Sequence, residues 1–258
     1  MRSRGVLSLV ALALLAAGCL HDGGTETVTV RETVTETVTG TDGGAAPVAL
    51  TVYFLRDGKV SPVLRAVDTG AQVGAAAVRE LLKGPGVSDI DVDTAIPSGI
   101  ELQSLSIEGG VASVELSRQV TDQRALAQLV YTLTQFTSVK RVDFGADTPR
   151  GRRAFEAQTP AVLVETPLPG QEVESGFDVA GTANTFEATF NYELEDASGR
   201  ILKKNFVTAT SGSGTRGTFA FTVAYETPGP QDGRLVVFEI SAADGSRINE
   251  LSIPLRLR

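Results

Sequence analysis

The chain has 258 residues, 42% of them hydrophobic and 21% charged, enough for one large core or two domains of about 100 residues each. Its 31 acidic and 23 basic side chains give a net charge of −8 with no basic block, so no nucleic acid is expected among its partners. One Cys, one His and no Trp leave too few residues for a disulfide framework, a Cys/His zinc site or a Ser–His–Asp constellation, and no catalytic, metal-binding or cofactor-binding residue is expected.

Residues 1–18 read as a leader. Arg2 and Arg4 precede an apolar run over residues 6–17. As a helix that run would reach about 18 Å, short of the roughly 30 Å hydrocarbon core, which suits a signal peptide rather than a membrane span. It ends in Leu15-Ala16-Ala17-Gly18-Cys19, which resembles a bacterial lipobox, with Ala16 where the usual pattern has Leu. The resemblance implies lipidation of Cys19, and two acyl chains on one residue anchor stably where one does not. The expected location is extracytoplasmic, on the cell membrane through the lipid on Cys19; a plain secretory signal with an incidental cysteine is the alternative.

Residues 19–46 read as a Thr-rich disordered tether. Glu-Thr-Val-Thr recurs from Glu26, Glu32 and Glu36, and four Val among three Glu cannot bury a core. A flexible chain of this length spans roughly 30 Å. The single His21 lies here beside Cys19, far from any folded cleft.

The first folded domain is expected over residues 47–147. A strand over 48–55 ends at the turn Asp57-Gly58, and a second short strand follows over 64–67. Thr69 and Gln72 fit a capping box before a helix carrying Val73, Ala77, Val78, Leu81 and Leu82, stopped by Gly84-Pro85-Gly86. Residues 102–107 and 111–116 form a hairpin about Gly109-Gly110. Asp122 caps a second helix with the stripe Leu126, Leu129, Val130, Leu133 and Phe136, and residues 140–144 supply a last strand. Two such helices over one face of a sheet make an α+β sandwich.

Three motifs in this stretch, Glu80-Leu-Leu-Lys-Gly-Pro85, Ala95-Ile-Pro-Ser-Gly99 and Gly110-Val-Ala-Ser-Val-Glu-Leu-Ser117, resemble the landmarks of the GerMN domain of sporulation and spore-germination proteins. The resemblance implies a fold similar to the ring-building modules of secretion-type assemblies and a protein-contact role, and it carries over no catalytic residue.

Residues 148–159 read as a basic linker containing Arg150, Arg152 and Arg153, solvated and held against acidic domain faces, with contact to anionic lipid or wall polymer as the alternative. From 160 to 258, seven β-rich runs alternate with turn clusters such as Asp196-Ala-Ser-Gly199 and Asp244-Gly-Ser246, the pattern of an immunoglobulin-like sandwich without its Cys pair or core Trp. Val179-Ala-Gly-Thr-Ala183, Phe186-Glu187-Ala188, Gly217-Thr-Phe219 and Phe238-Glu-Ile-Ser-Ala-Ala-Asp-Gly245 are similar to landmarks of the immunoglobulin-like domain of bacterial spore-germination proteins. Within them, Phe186 is expected to be buried, with Glu187 pairing across a strand.

Asp89-Ile-Asp-Val-Asp93 starts like a calcium loop, but Thr94 stands where a Gly is needed and Ile100 where a bidentate Glu is needed, so the EF-hand pattern fails. The residues point to a non-enzymatic lipoprotein that binds an envelope protein partner, with the GerMN-like sheet edge as the expected contact. The alternative is an accessory protein that binds or processes cell-wall glycan.

Overall fold

The computed structural model describes residues 47–67, 72–89, 91–145 and 148–258. The leader, the tether, Cys19, His21 and Thr69 lie outside them.

The first strands follow the alternation in the sequence. Val48–Arg56 (β1) and Lys59–Val67 (β2) form an antiparallel hairpin, with Asp57 and Gly58 both at positive φ in the two-residue turn. Helix α1 (Val73–Leu82) buries Ala75, Ala77, Val78 and Leu81 and stops at Gly84, whose φ of +81° suits a residue without a Cβ. Its N-cap is Gln72, which makes no side-chain capping bond, so Gln72 does not play the third-residue role of the expected capping box. Leu102–Glu108 (β3) and Val111–Leu116 (β4) form the expected hairpin, and Arg141–Asp143 (β5) lies parallel to β4. Asp122 caps α2 (Gln123–Leu133) by accepting the N–H of Arg124 at 2.8 Å.

The strands expected in one sheet divide instead into the pair β1–β2 and the sheet β3–β4–β5. The cause lies in α2, which is buried from Ala125 to Leu133 without a solvent face. Its polar side chains occupy the edge of β1 where another strand would pair. Thr132 Oγ1 accepts the Tyr53 N–H at 3.0 Å, and Gln128 Nε2 donates to the Tyr53 carbonyl at 3.2 Å. Gln135 takes both the N–H and the carbonyl of Thr51, at 3.0 and 2.6 Å. Leu55 completes the edge by exchanging backbone hydrogen bonds with Asp93. Buried Gln and Thr are thus satisfied by backbone that would otherwise be orphaned.

The remainder is a sandwich of two antiparallel-rich sheets. One has the order β10–β9–β12–β13–β7, from Ile201–Thr208 (β10), Thr189–Asp196 (β9), Gln231–Ile240 (β12), Arg247–Leu257 (β13) and Glu172–Val173 (β7). The other is β11–β8–β6, from Gly217–Val223 (β11), Phe177–Ala183 (β8) and Val162–Thr166 (β6). Phe190, Leu194, Phe219, Leu235, Val237 and Leu255 fill the space between them. All seven expected strands are present; the added β7 has two residues, too short to leave a pattern in the sequence. Gly181 lies where β8 passes β6 so closely that a Cβ would sit 2.0 Å from the Leu163 carbonyl oxygen. The fold is α+β.

Candidate interaction surface

Between the two halves, the segment read as a solvated linker is part of the core. Arg152–Gln158 is a 3₁₀ segment kinked at Phe155, whose side chain is fully buried in the first core together with Leu163 of β6. Arg152 lies over the rings of Tyr131 (4.6 Å) and Tyr53 (5.6 Å). It donates to Thr134 Oγ1 at 2.7 Å and to Glu165 on β6 at 2.8 Å, and Tyr53 Oη donates to the same carboxylate. Burial pushes the Tyr53 hydroxyl far up, and the adjacent Glu165 charge adds to it, so the phenol stays a proton donor.

On the other side, Glu156 receives Arg216 at 2.9 Å and Asn184 at 2.8 Å. Burial raises the Glu156 carboxyl, but the hydrogen bonds from Arg216 and Asn184 outweigh it and hold it below the usual range. Arg216 also donates to the carbonyls of Pro160 and Thr182. Arg152 and Arg216 therefore bind the protein to itself, and Gly44–Arg258 constitutes one compact unit.

The acidic run whose EF-hand pattern fails in the sequence is tied into the fold at Asp89. Asp89 pairs with both guanidinium nitrogens of Arg65 and accepts the Gly86 N–H. Burial opposes ionisation there, yet these bonds keep the carboxyl below its ordinary range. Asp89, Asp91 and Asp93 border a cleft of about 1410 Å³ that also touches Asp196 and Arg234 of the second sandwich. Among the described residues, no group of three or more His, Cys, Asp or Glu is placed to hold a metal ion.

The expectation for Phe186 and Glu187 is overturned. Phe186 is 66% exposed, and Glu187 has a positive φ of 52° in a short turn, a conformation that no glycine in the sequence announces. The carboxylate that reaches inward belongs to Glu239, which accepts the Phe186 N–H at 3.1 Å and Asn249 Nδ2 at 2.8 Å.

Two exposed aromatic rings remain, Phe186 and Phe206, and both belong to the sandwich. Phe206, 64% exposed, lies on β10, an edge strand of the five-stranded sheet. Across the strands it faces Asn191 and then Phe238, over which Arg247 stacks at 4.0 Å. Arg247 also binds both carboxylate oxygens of Glu193, the cross-strand neighbour of Lys204. That acid is already neutralised, and among the described residues neither Lys203 nor Lys204 has an ion-pair partner.

The matches to known proteins follow the same division. Residues 51–147 match the family described as sporulation and spore germination, and residues 161–246 the family described as the immunoglobulin-like domain of bacterial spore germination. The chain carries these two domains in tandem. Among solved structures, this chain is similar to the tandem GerMN domains of the sporulation protein GerM from Bacillus subtilis, at 25% identity and a TM-score of 0.35, covering 44% of each chain. It is also similar to the first GerMN domain of that protein, at 20% identity and a TM-score of 0.32, covering 37% of this chain and 79% of the other. This chain thus spans less than half of the tandem GerM structure. No curated protein matches it. The three motifs quoted for the first domain are the stop of α1, the turn at Gly99 and strand β4. Ile96, within the second motif, is buried in the first core, and Gln128 fixes the Ala95 N–H at 2.9 Å. Phe206 of the germination immunoglobulin-like domain belongs to none of the quoted motifs; an exposed Phe in a strand sequence is indistinguishable from a buried one until the register is known.

Proposed function

We propose that this protein of sporulation and spore-germination families is a non-enzymatic, membrane-anchored, extracytoplasmic module that binds an envelope protein. The observation that carries the reading is the exposed apolar surface of the sandwich, where Phe186, Phe206, Ile201, Ile240 and Ile248 all remain open on a body locked by Arg152 and Glu165. Exposed aromatic side chains are enriched where proteins bind one another. Anchoring through Cys19 follows from the lipobox-like sequence, and the acyl chains would hold this surface near the membrane.

The full chain, solubilised in detergent, is immobilised and exposed in parallel to a membrane extract and to protein-free cell wall. The expected result is capture of a protein that is lost when the extract is treated with protease. Retention on bare wall without any protein partner would overturn the reading in favour of glycan binding. Cys19→Ala is expected to leave the protein unprocessed or free of the membrane; unchanged processing and membrane retention would remove Cys19 from the proposal.

A further inference from the structure

Strand edges are where a sheet protein can bind another chain through its backbone, and most edges near the seam are closed. The β1 edge is taken by Thr132, Gln128 and Gln135, and Val142 of β5 exchanges two backbone hydrogen bonds with Arg150. Strand β10 differs. Among the described residues it pairs only with β9, runs for eight residues and is exposed at Ile201, Lys203, Lys204, Asn205, Phe206 and Thr208.

The direction of its backbone groups can be read from one bond. The Phe206 N–H donates to the side-chain Oδ1 of Asn205 at 2.9 Å, so it points away from β9. By the alternation of an antiparallel ladder, the N–H of Lys204, two residues earlier in an unbroken register, points the same way. Beside the start of the strand lies an open groove of about 850 Å³ between Arg200–Lys203 and Ala224–Pro228. In a protein of net charge −8, Lys203 and Lys204 are adjacent cations without a counter-ion among the described residues.

We infer that β10 accepts an extended, acidic segment of a partner protein as a further strand of the five-stranded sheet. Main-chain bonds to Lys204 and Phe206 supply the pairing, the two lysines select carboxylates, and Ile201 and Phe206 give apolar contact on either side of them. Asn205 is the placeholder that the incoming strand displaces. This inference rests on the protein-binding reading and specifies its site and partner chemistry.

The test uses the full chain in detergent with two labelled eight-residue peptides of alternating Val/Thr and charged residues, one carrying Glu and the other Lys. The Glu peptide is expected to bind about tenfold more tightly at low salt, the effect of two ion pairs at an edge, and the preference to reverse in the double variant Lys203→Glu, Lys204→Glu. Hydrogen exchange at the Lys204 amide is expected to slow when the Glu peptide is added. Asn205→Ala, which removes the competing bond, is expected to tighten the Glu peptide about fivefold. Absence of binding, equal binding of the two peptides, a preference that the double variant does not reverse, or an Asn205→Ala affinity unchanged or weakened would each overturn the inference. The protein-binding reading fails separately: if the wild-type chain captures an envelope protein and the charge-reversed chain captures it equally, only the β10 assignment falls.

Discussion

Arg152 illustrates how one side chain can be charged, largely enclosed and still stabilising. Its guanidinium is shared between two aromatic faces, a hydroxyl and a carboxylate, and each contact uses the planar, multi-donor shape of Arg. Arg152→Ala is expected to lower unfolding stability by about 2–4 kcal/mol, because Glu165 and Tyr53 lose their partner in a site with little water. Arg152→Lys should recover less than half of that loss, since an ammonium cannot reach Thr134 and Glu165 together in the same geometry. Urea unfolding of the three proteins measures this, and a Lys variant equal to wild type would show that charge alone matters there. Asp196 gives a pH-dependent test. Hydrogen bonds from Ser198 and then Arg200 lower its carboxyl from 3.8 to about 2. A folded-state pKa below the unfolded one contributes stability that is complete above about pH 4 and is lost as pH falls towards 2. Asp196→Asn is therefore expected to lose less stability between pH 5 and pH 2.5 than wild type does; parallel losses would contradict the assignment.

At the level of elements, α2 shows what an apolar stripe reveals and what it conceals. Leu126, Leu129, Val130 and Leu133 were legible because helical spacing puts them on one face. Gln128 and Thr132 are polar and fall outside that stripe, yet both are fully buried, because their partners lie on a strand some 75 residues earlier. Gln128→Leu keeps the volume but leaves the Tyr53 carbonyl and the Ala95 N–H without partners, a loss of about 2–4 kcal/mol visible in the unfolding midpoint. A neutral result would mean that water enters to replace the amide. The strands of the sandwich were legible for the opposite reason: turn residues bound each run, and local alternation suffices to define it. The motif around Gly181 marks a close approach of two strands, and Gly181→Ala is expected to destabilise by about 1–3 kcal/mol through overpacking against Leu163. Glu187 shows the limit of such reading, since a left-handed turn made without glycine leaves no signature in composition.

For the whole molecule, the decisive feature is the segment between the two domains. Its arginines suggested a solvated joint, because charge density in a short run usually marks an exposed loop. In the structure, Phe155 enters the first core, Arg152 reaches β6, and Glu156 reaches Arg216 beside β11, so one seven-residue segment is fastened to both halves. Domains joined only by a linker unfold in two steps, whereas elements sharing a core unfold together. Scanning calorimetry of the wild-type chain is thus expected to give a single transition with a van't Hoff enthalpy equal to the calorimetric one. Combining Arg152→Ala with Glu156→Ala should separate it into two, because Phe155, Leu163 and a few hydrogen bonds such as Tyr53–Glu165 and Arg56–Ser252 must then carry the coupling. Two transitions already present in the wild type would mean that the seam is too weak to transmit stability. In that case a partner held by β10 would not restrain the germination-type half, and the sandwich would act as an independent binding domain.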